Sequence, residues 1–263
     1  MPNTKNYFMK KYLEELHKLR VFRLNEVESL VGNLNSAKDL LQNYKKQKLI
    51  CQVRRDLYAA TDLVSKQSLS NKFEIAGKIT PTSYLSYQSA LEFHGLAHQL
   101  FYDLWVSSNN RFTSFDFEGI RYQYCESKSM EGVISPHTSS FIRVTNLERT
   151  VIDCIDKIER CGGLEELIQC FSLITYLNEE LLLDYLQVYN KQFLYQKAGF
   201  ILEYFKQEMK LSKDFFGICK QKMGKSTRYL TDQSESTHYF KVWKLCAPAN
   251  ILSFLEQGGQ SYV

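Results

Sequence analysis

Long apolar runs are missing from this 263-residue chain. None approaches the ~20 residues that a membrane-spanning helix needs. The first twenty residues are charged and helix-like and lack the apolar centre of a signal peptide, so a cytoplasmic location without a membrane partner is expected. Proline and glycine are scarce: 4 Pro and 12 Gly leave little material for long linkers or low-complexity tails. The 7 cysteines include no CxxC pair. Cys154, Cys161 and Cys170 lie close in sequence, but their spacing fits no zinc knuckle; neither a metal nor another cofactor is expected. Cys154 falls in the apolar stripe of a helix and reads as a buried core thiol. Reduced thiols suit the same compartment.

What the chain has is aromatic bulk and an uneven charge. Its 17 Phe, 17 Tyr and 2 Trp can fill sizeable cores. The formal charge is +4, but residues 1–60 hold 12 basic and 6 acidic side chains, residues 61–190 hold 10 and 17, and residues 191–228 hold 9 and 3. Two basic segments thus flank an acidic middle. A basic segment is most often a solvated face; one that coincides with a DNA-reading pattern points to phosphate contacts.

Such a pattern occupies residues 23–58. A first helix is expected over residues 7–19, with Phe8, Tyr12, Leu16 and Leu19 on one face. A second follows over residues 25–31, capped by Asn25 and stopped by Gly32, and Asn33-Leu34-Asn35 is its turn. A third runs from Asn35 or Ser36 to about Gln47, burying Ala37, Leu40, Leu41 and Tyr44. Its other face carries Ser36, Lys38, Asp39, Gln42, Asn43, Lys45 and Lys46, which suit a recognition helix: Gln and Asn bond adenine bidentately and Lys reaches guanine or phosphate. Leu49-Ile50-Cys51-Gln52-Val53 and Leu57-Tyr58-Ala59 then pair as a hairpin, with Arg54 and Arg55 near its tip. This is the order of a winged helix-turn-helix. Its expected partner is double-stranded DNA, held through Ser36, Lys38, Gln42, Asn43, Lys45, Lys46, Arg54 and Arg55. A small helical domain that touches no DNA is the plainer alternative.

Residues 61–80 are polar and mark the expected linker, with a short helix near Lys72–Ala76, between a 1–60 DNA-binding domain and an 81–263 second domain. In that second domain Ser86 is the expected cap of a helix ended by Gly95. Strands are expected at residues 101–107, 112–117, 120–125 and 140–145, with Glu118-Gly119 as a hairpin turn. A helix bearing Leu147, Val151, Ile152, Ile155 and Ile158 follows. Further helices are expected at 164–174, 178–189 and 193–209, and a last strand at 238–245. The fold class is therefore α+β: an N-terminal winged helix-turn-helix, then a larger mixed α/β domain with a small sheet and several helices.

Other clusters invite chemistry. Asp116 with Glu126-Ser127-Lys128 imitates a metal-dependent nuclease, against ordinary hairpin charges. His94 and His98 stand four apart, but Gly95 breaks the helix between them. Glu148, Arg149 and Asp153 share the first turns of one helix; Arg149–Asp153 is an i,i+4 pair and reads as scaffolding or as part of a functional surface. Lys197, Lys206 and Lys210 belong to the second basic segment and read as a solvated face or a second nucleic-acid contact. No catalytic residue emerges, and a binding protein rather than an enzyme is expected.

Four blocks in this order carry a resemblance: Arg55-Asp56-Leu57-Tyr58-Ala59; Tyr84-Leu85-Ser86-Tyr87-Gln88-Ser89-Ala90-Leu91 leading to His94-Gly95-Leu96; Val144-Thr145-Asn146-Leu147-Glu148-Arg149-Thr150-Val151-Ile152-Asp153-Cys154 followed by Gly162-Gly163; and Lys197-Ala198-Gly199-Phe200-Ile201-Leu202-Glu203. Across residues 7–205 the chain resembles the AbiEi antitoxins of type IV toxin–antitoxin systems. The resemblance implies a repressor that binds operator repeats in its own promoter. It also implies an antitoxin that counteracts a nucleotidyltransferase-like toxin without a stable complex. The alternatives are a stand-alone regulator with a ligand-sensing second domain, and a metal-dependent nuclease.

Overall fold

The computed structural model describes residues 4–136, 141–231 and 237–257. The chain is α+β. It divides into two compact units, the first formed by residues 1–85, 102–130 and 135–143, the second by 86–101, 131–134 and 144–263. No helix among the described residues is long and apolar enough to cross a membrane.

In the first unit α1 (Thr4–Leu19) leads into β1 (Val21–Arg23), α2 (Leu24–Val31), α3 (Leu34–Lys46), β2 (Ile50–Arg54) and β3 (Leu57–Ala60). The strands form an antiparallel sheet in the order β1-β3-β2. Leu16, Phe22, Val27, Ala37, Leu41, Tyr44, Ile50 and Ala60 make one buried cluster, so helices and sheet share a core. Two expected helix starts move. α2 starts at Leu24 rather than Asn25, because the Glu26 carboxylate accepts the Arg23 backbone N–H at 2.8 Å and closes the first turn one residue earlier. α3 starts at Leu34, because Asn33 Oδ1 accepts from the N–H groups of Asn35 and Ser36 at 2.9 and 3.1 Å.

Residues 61–80, expected to be a linker, pack onto this module. Thr61 Oγ1 donates to Lys48 O at 2.7 Å. α4 (Lys72–Lys78) is closed by a capping box of Asn71 and Glu74. Arg23 donates to Ile79 O at 2.6 Å, and Lys78 pairs with Glu26 at 2.6 Å. The unit continues through β4 (Tyr84–Leu85), β5 (Asp103–Ser108), β6 (Phe115–Phe117) and β7 (Ile120–Glu126). β4 is antiparallel to β5, β5 parallel to β7, and β6 antiparallel to β7. Glu118 and Gly119 turn the β6–β7 hairpin at φ 46° and 78°, as a two-residue turn of this hand requires.

The second unit opens with α5 (Gln88–Phe93), whose cap residue is Tyr87 at φ 55°, not Ser86. Ser86 is fully buried. Then come β8 (Val133–Ile134) paired with β9 (Val144–Thr145), α6 (Leu147–Asp156), a 3₁₀ turn (Ile158–Cys161), α7 (Leu164–Ser172), α8 (Glu179–Tyr189), α9 (Gln192–Glu203) and α10 (Lys213–Lys222). Of the strand expected at 140–145, only Val144–Thr145 is paired, and Ser140 lies outside the described residues. α9 ends at Glu203, short of the expected Met209. Beyond it the regular i−4 bonding gives way to a mixture of turns, as at Phe205 to Leu202 (i−3), Met209 to Phe205 (i−4) and Leu211 to Lys206 (i−5). The strand expected at 238–245 is two strands, β11 (Thr237–Phe240) and β12 (Leu245–Pro248), which with β10 (Arg228–Tyr229) form a sheet in the order β10-β12-β11. α11 (Ser253–Gln257) follows. All seven cysteines are free, and Cys154 is fully buried.

Candidate nucleic-acid interface

α2 and α3 are joined by two residues. Gly32 takes φ 82° and donates its N–H to Glu28 O at 2.7 Å; a left-handed residue here ends α2 as a glycine does most readily. Asn33 then caps α3. The pair is locked from behind by Val27, Ala37, Leu41 and Tyr44. Burial of Ala37, Leu41 and Tyr44 leaves Ser36, Lys38, Gln42, Asn43, Lys45 and Lys46 all exposed. With 3.6 residues per turn, the centre of the outward face falls on Asn35, Asp39, Gln42 and Lys46, while Lys38 and Lys45 lie toward one flank and Ser36 and Asn43 toward the other. Asn35 was not singled out from sequence; the signal was the Asn33 cap, which puts Asn35 inside the helix. Asp39 at the centre repels phosphate, but a carboxylate there can accept from cytosine N4.

Two of these side chains brace the surface. Lys45 Nζ donates to Gln52 Oε1 at 2.8 Å and ties the end of α3 to β2. Asn43 Oδ1 accepts from Gln47 Nε2 at 2.8 Å.

At the hairpin tip the two arginines part. Arg55 has a 94% exposed side chain, 3.6 Å from Asp56. Arg54 does not project from a wing, which corrects the sequence reading. The β2–β3 register slips between Gln52 and Arg54. This bulge buries Val53 and turns the Arg54 guanidinium over the rings of Phe115 and Phe112, at 4.9 and 5.6 Å. Burial, then the nearby Arg23 charge, pulls the Arg54 pKa down.

In the second unit the expected surface of Lys197, Lys206, Lys210, Glu148 and Arg149 is not assembled. Lys206 and Lys210 are exposed, in the turns after α9. Lys197 is buried: its Nζ donates to Asp156 O at 2.9 Å and sits 5.3 Å from the Phe193 ring. Burial outweighs the Asp156 and Glu159 charges and lowers its pKa to about 8. Arg149 is buried as well, paired with Asp153 at 2.9 Å and donating to Glu131 O at 2.6 Å; Tyr189 also donates to Asp153. Glu148 accepts the backbone N–H of Asn178 at 3.0 Å. These groups build the interior and its edges.

The enzymatic constellations are not brought together either. Asp116 lies opposite Arg121, and Glu126 is five residues further along β7, about 16 Å away at strand rise. His94 Nε2 meets Thr145 O at 2.8 Å and His98 Nε2 meets Gln169 O at 2.9 Å, so each imidazole serves a different carbonyl. Among the described residues no group of three His, Cys, Asp or Glu could hold a metal ion.

No family model and no curated protein matches the chain. Among solved structures it is similar to the crystal structure of the RV2827C protein from Mycobacterium tuberculosis, with 12% identity and a TM-score of 0.65 over 94% of this chain and 93% of that one. At that identity the likeness is one of fold.

Proposed function

We propose that the α2–α3 pair reads the major groove of double-stranded DNA and that the chain is a transcriptional repressor. The observation that carries this reading is the α3 surface: an outward face of amide, hydroxyl and lysine side chains on a helix fixed by a two-residue turn and a shared core. The order α1-β1-α2-α3-β2-β3 supports a winged-helix reading, in which the exposed Arg55 at the β2–β3 tip is the side chain that meets the DNA backbone. Arg55, not Arg54, is the wing arginine of this proposal. Fluorescence anisotropy with duplexes from the chain's own promoter tests it: saturable binding, weakened when Gln42 and Lys46 become alanine, is expected. Equal affinity of that variant and the parent would remove α3 from the interface.

The resemblance of four sequence blocks to the AbiEi antitoxins supports a second role in the same protein, as a cytoplasmic antitoxin that is not an enzyme and that counteracts a nucleotidyltransferase-like toxin without a stable complex. Co-expression with such a toxin from the adjacent gene is expected to restore growth. Unrelieved toxicity would leave only the repressor.

A further inference from the structure

The first unit contains a cleft that the DNA-reading surface does not use. It has a volume of about 360 Å³, and its lining includes Arg23, Asn25, Glu26, Lys78, Phe141 and Arg143. That volume falls within the range of small-molecule sites. The lining holds three cations and one carboxylate, and the carboxylate is already spent: Glu26 Oε1 takes Lys78 Nζ at 2.6 Å, and Oε2 takes the Arg23 backbone N–H at 2.8 Å. Arg23 uses Nη1 on Ile79 O at 2.6 Å. Lys78 also lies 4.3 Å from the Phe141 ring. Among the described residues the Arg143 side chain meets no hydrogen-bond or ion-pair partner, although it is half-buried and burial lowers its pKa. A guanidinium partly withdrawn from water without a counter-charge is costly. A ligand anion in the cleft removes that cost and meets a planar donor fork suited to phosphate oxygens.

We propose that this cleft binds a small phosphate monoester, its phosphate held by Arg143 with Arg23 and Lys78 supplying further positive charge. The site is independent of the DNA-binding reading: it is lined by residues from the start of α2, the end of α4 and the segment before β9, and by none from α3.

Isothermal titration of the full chain at low salt with AMP, inorganic phosphate and adenosine tests it. AMP is expected to bind once per chain, inorganic phosphate to compete with it, and adenosine not to bind. Arg143→Gln should weaken AMP at least tenfold; Arg143→Lys, which keeps the charge but loses the fork, should fall between. Because the Arg143 side chain has no hydrogen-bond or ion-pair partner among the described residues, the glutamine variant is expected to melt near the parent temperature; if it does not fold, the lysine variant carries the test. No saturable AMP binding, equal binding of adenosine, or full AMP affinity in both variants overturns the proposal. So does an Arg143→Gln chain that loses duplex affinity while the parent binds no AMP, since the cleft then takes a DNA phosphate.

Discussion

Arg54 and Arg55 are chain neighbours with opposite surroundings. Arg54→Ala is expected to cost about 1 kcal/mol of stability through lost stacking on Phe112 and Phe115, with DNA affinity retained. Arg55→Ala is expected to leave the denaturation midpoint unchanged and to weaken DNA binding similarly across sequences. Urea titration and anisotropy on both variants check the pair; a DNA defect in Arg54→Ala alone would reverse the assignment. Lys197 gives a pH signature. Its folded pKa, about 8, is below the unfolded value of about 10.4. Between these values the unfolded chain binds more protons, so this group's contribution to stability rises with pH across that window. The penalty is fully present below pH 8 and gone above the unfolded pKa. Lys197→Met should therefore show a smaller rise in urea midpoint between pH 7.5 and 10 than the parent; parallel curves would contradict the buried charge.

At the scale of the element, two helices rest on side chains with defined geometry. Asn33 holds two otherwise unpaired N–H groups of α3. Asn33→Ala is expected to cost about 1 kcal/mol and to weaken DNA binding, since the first turn of α3 frays; circular dichroism melts and anisotropy read both. α6 is anchored by the Arg149–Asp153 pair, 1% and 3% exposed. Removing one partner leaves a buried charge, so Arg149→Ala should cost about 3–5 kcal/mol, visible as a lower denaturant midpoint. A loss below about 1 kcal/mol would mean that Asp153 finds another partner or becomes neutral. The sequence reading found this i,i+4 pair but not its burial, because exposure depends on which elements pack over α6.

For the whole molecule, charge sets how the proposed DNA binding responds to salt. Residues 1–60 hold 12 of the 33 basic side chains, and α3 and the hairpin tip expose Lys38, Lys45, Lys46 and Arg55. If the four each neutralise a phosphate, log K should fall with log salt at a slope of about −4. A slope near zero would rule out the electrostatic interface. Much of the arrangement was legible in advance. Ala37, Leu41 and Tyr44 marked the buried stripe of α3, Glu118-Gly119 marked the β6–β7 turn, and the α+β class followed from the mixture of periods. The expected linker at 61–80 was misread because polarity alone does not reveal the Thr61, Arg23 and Lys78 bonds that pack it down.

The amino-acid sequence by itself determined where α2, α3, α6 and most of α9 lie and which face of each is apolar, since those follow from a 3.6-residue period within a short window. Only tertiary structure decided which charged side chains reach solvent. A one-residue bulge turned Arg54 inward, packing around α9 and α6 enclosed Lys197 and Arg149, and Arg23, Lys78 and Arg143 gathered around one cleft from separate parts of the chain. Register and long-range packing are settled between segments far apart in sequence, and no local period encodes them.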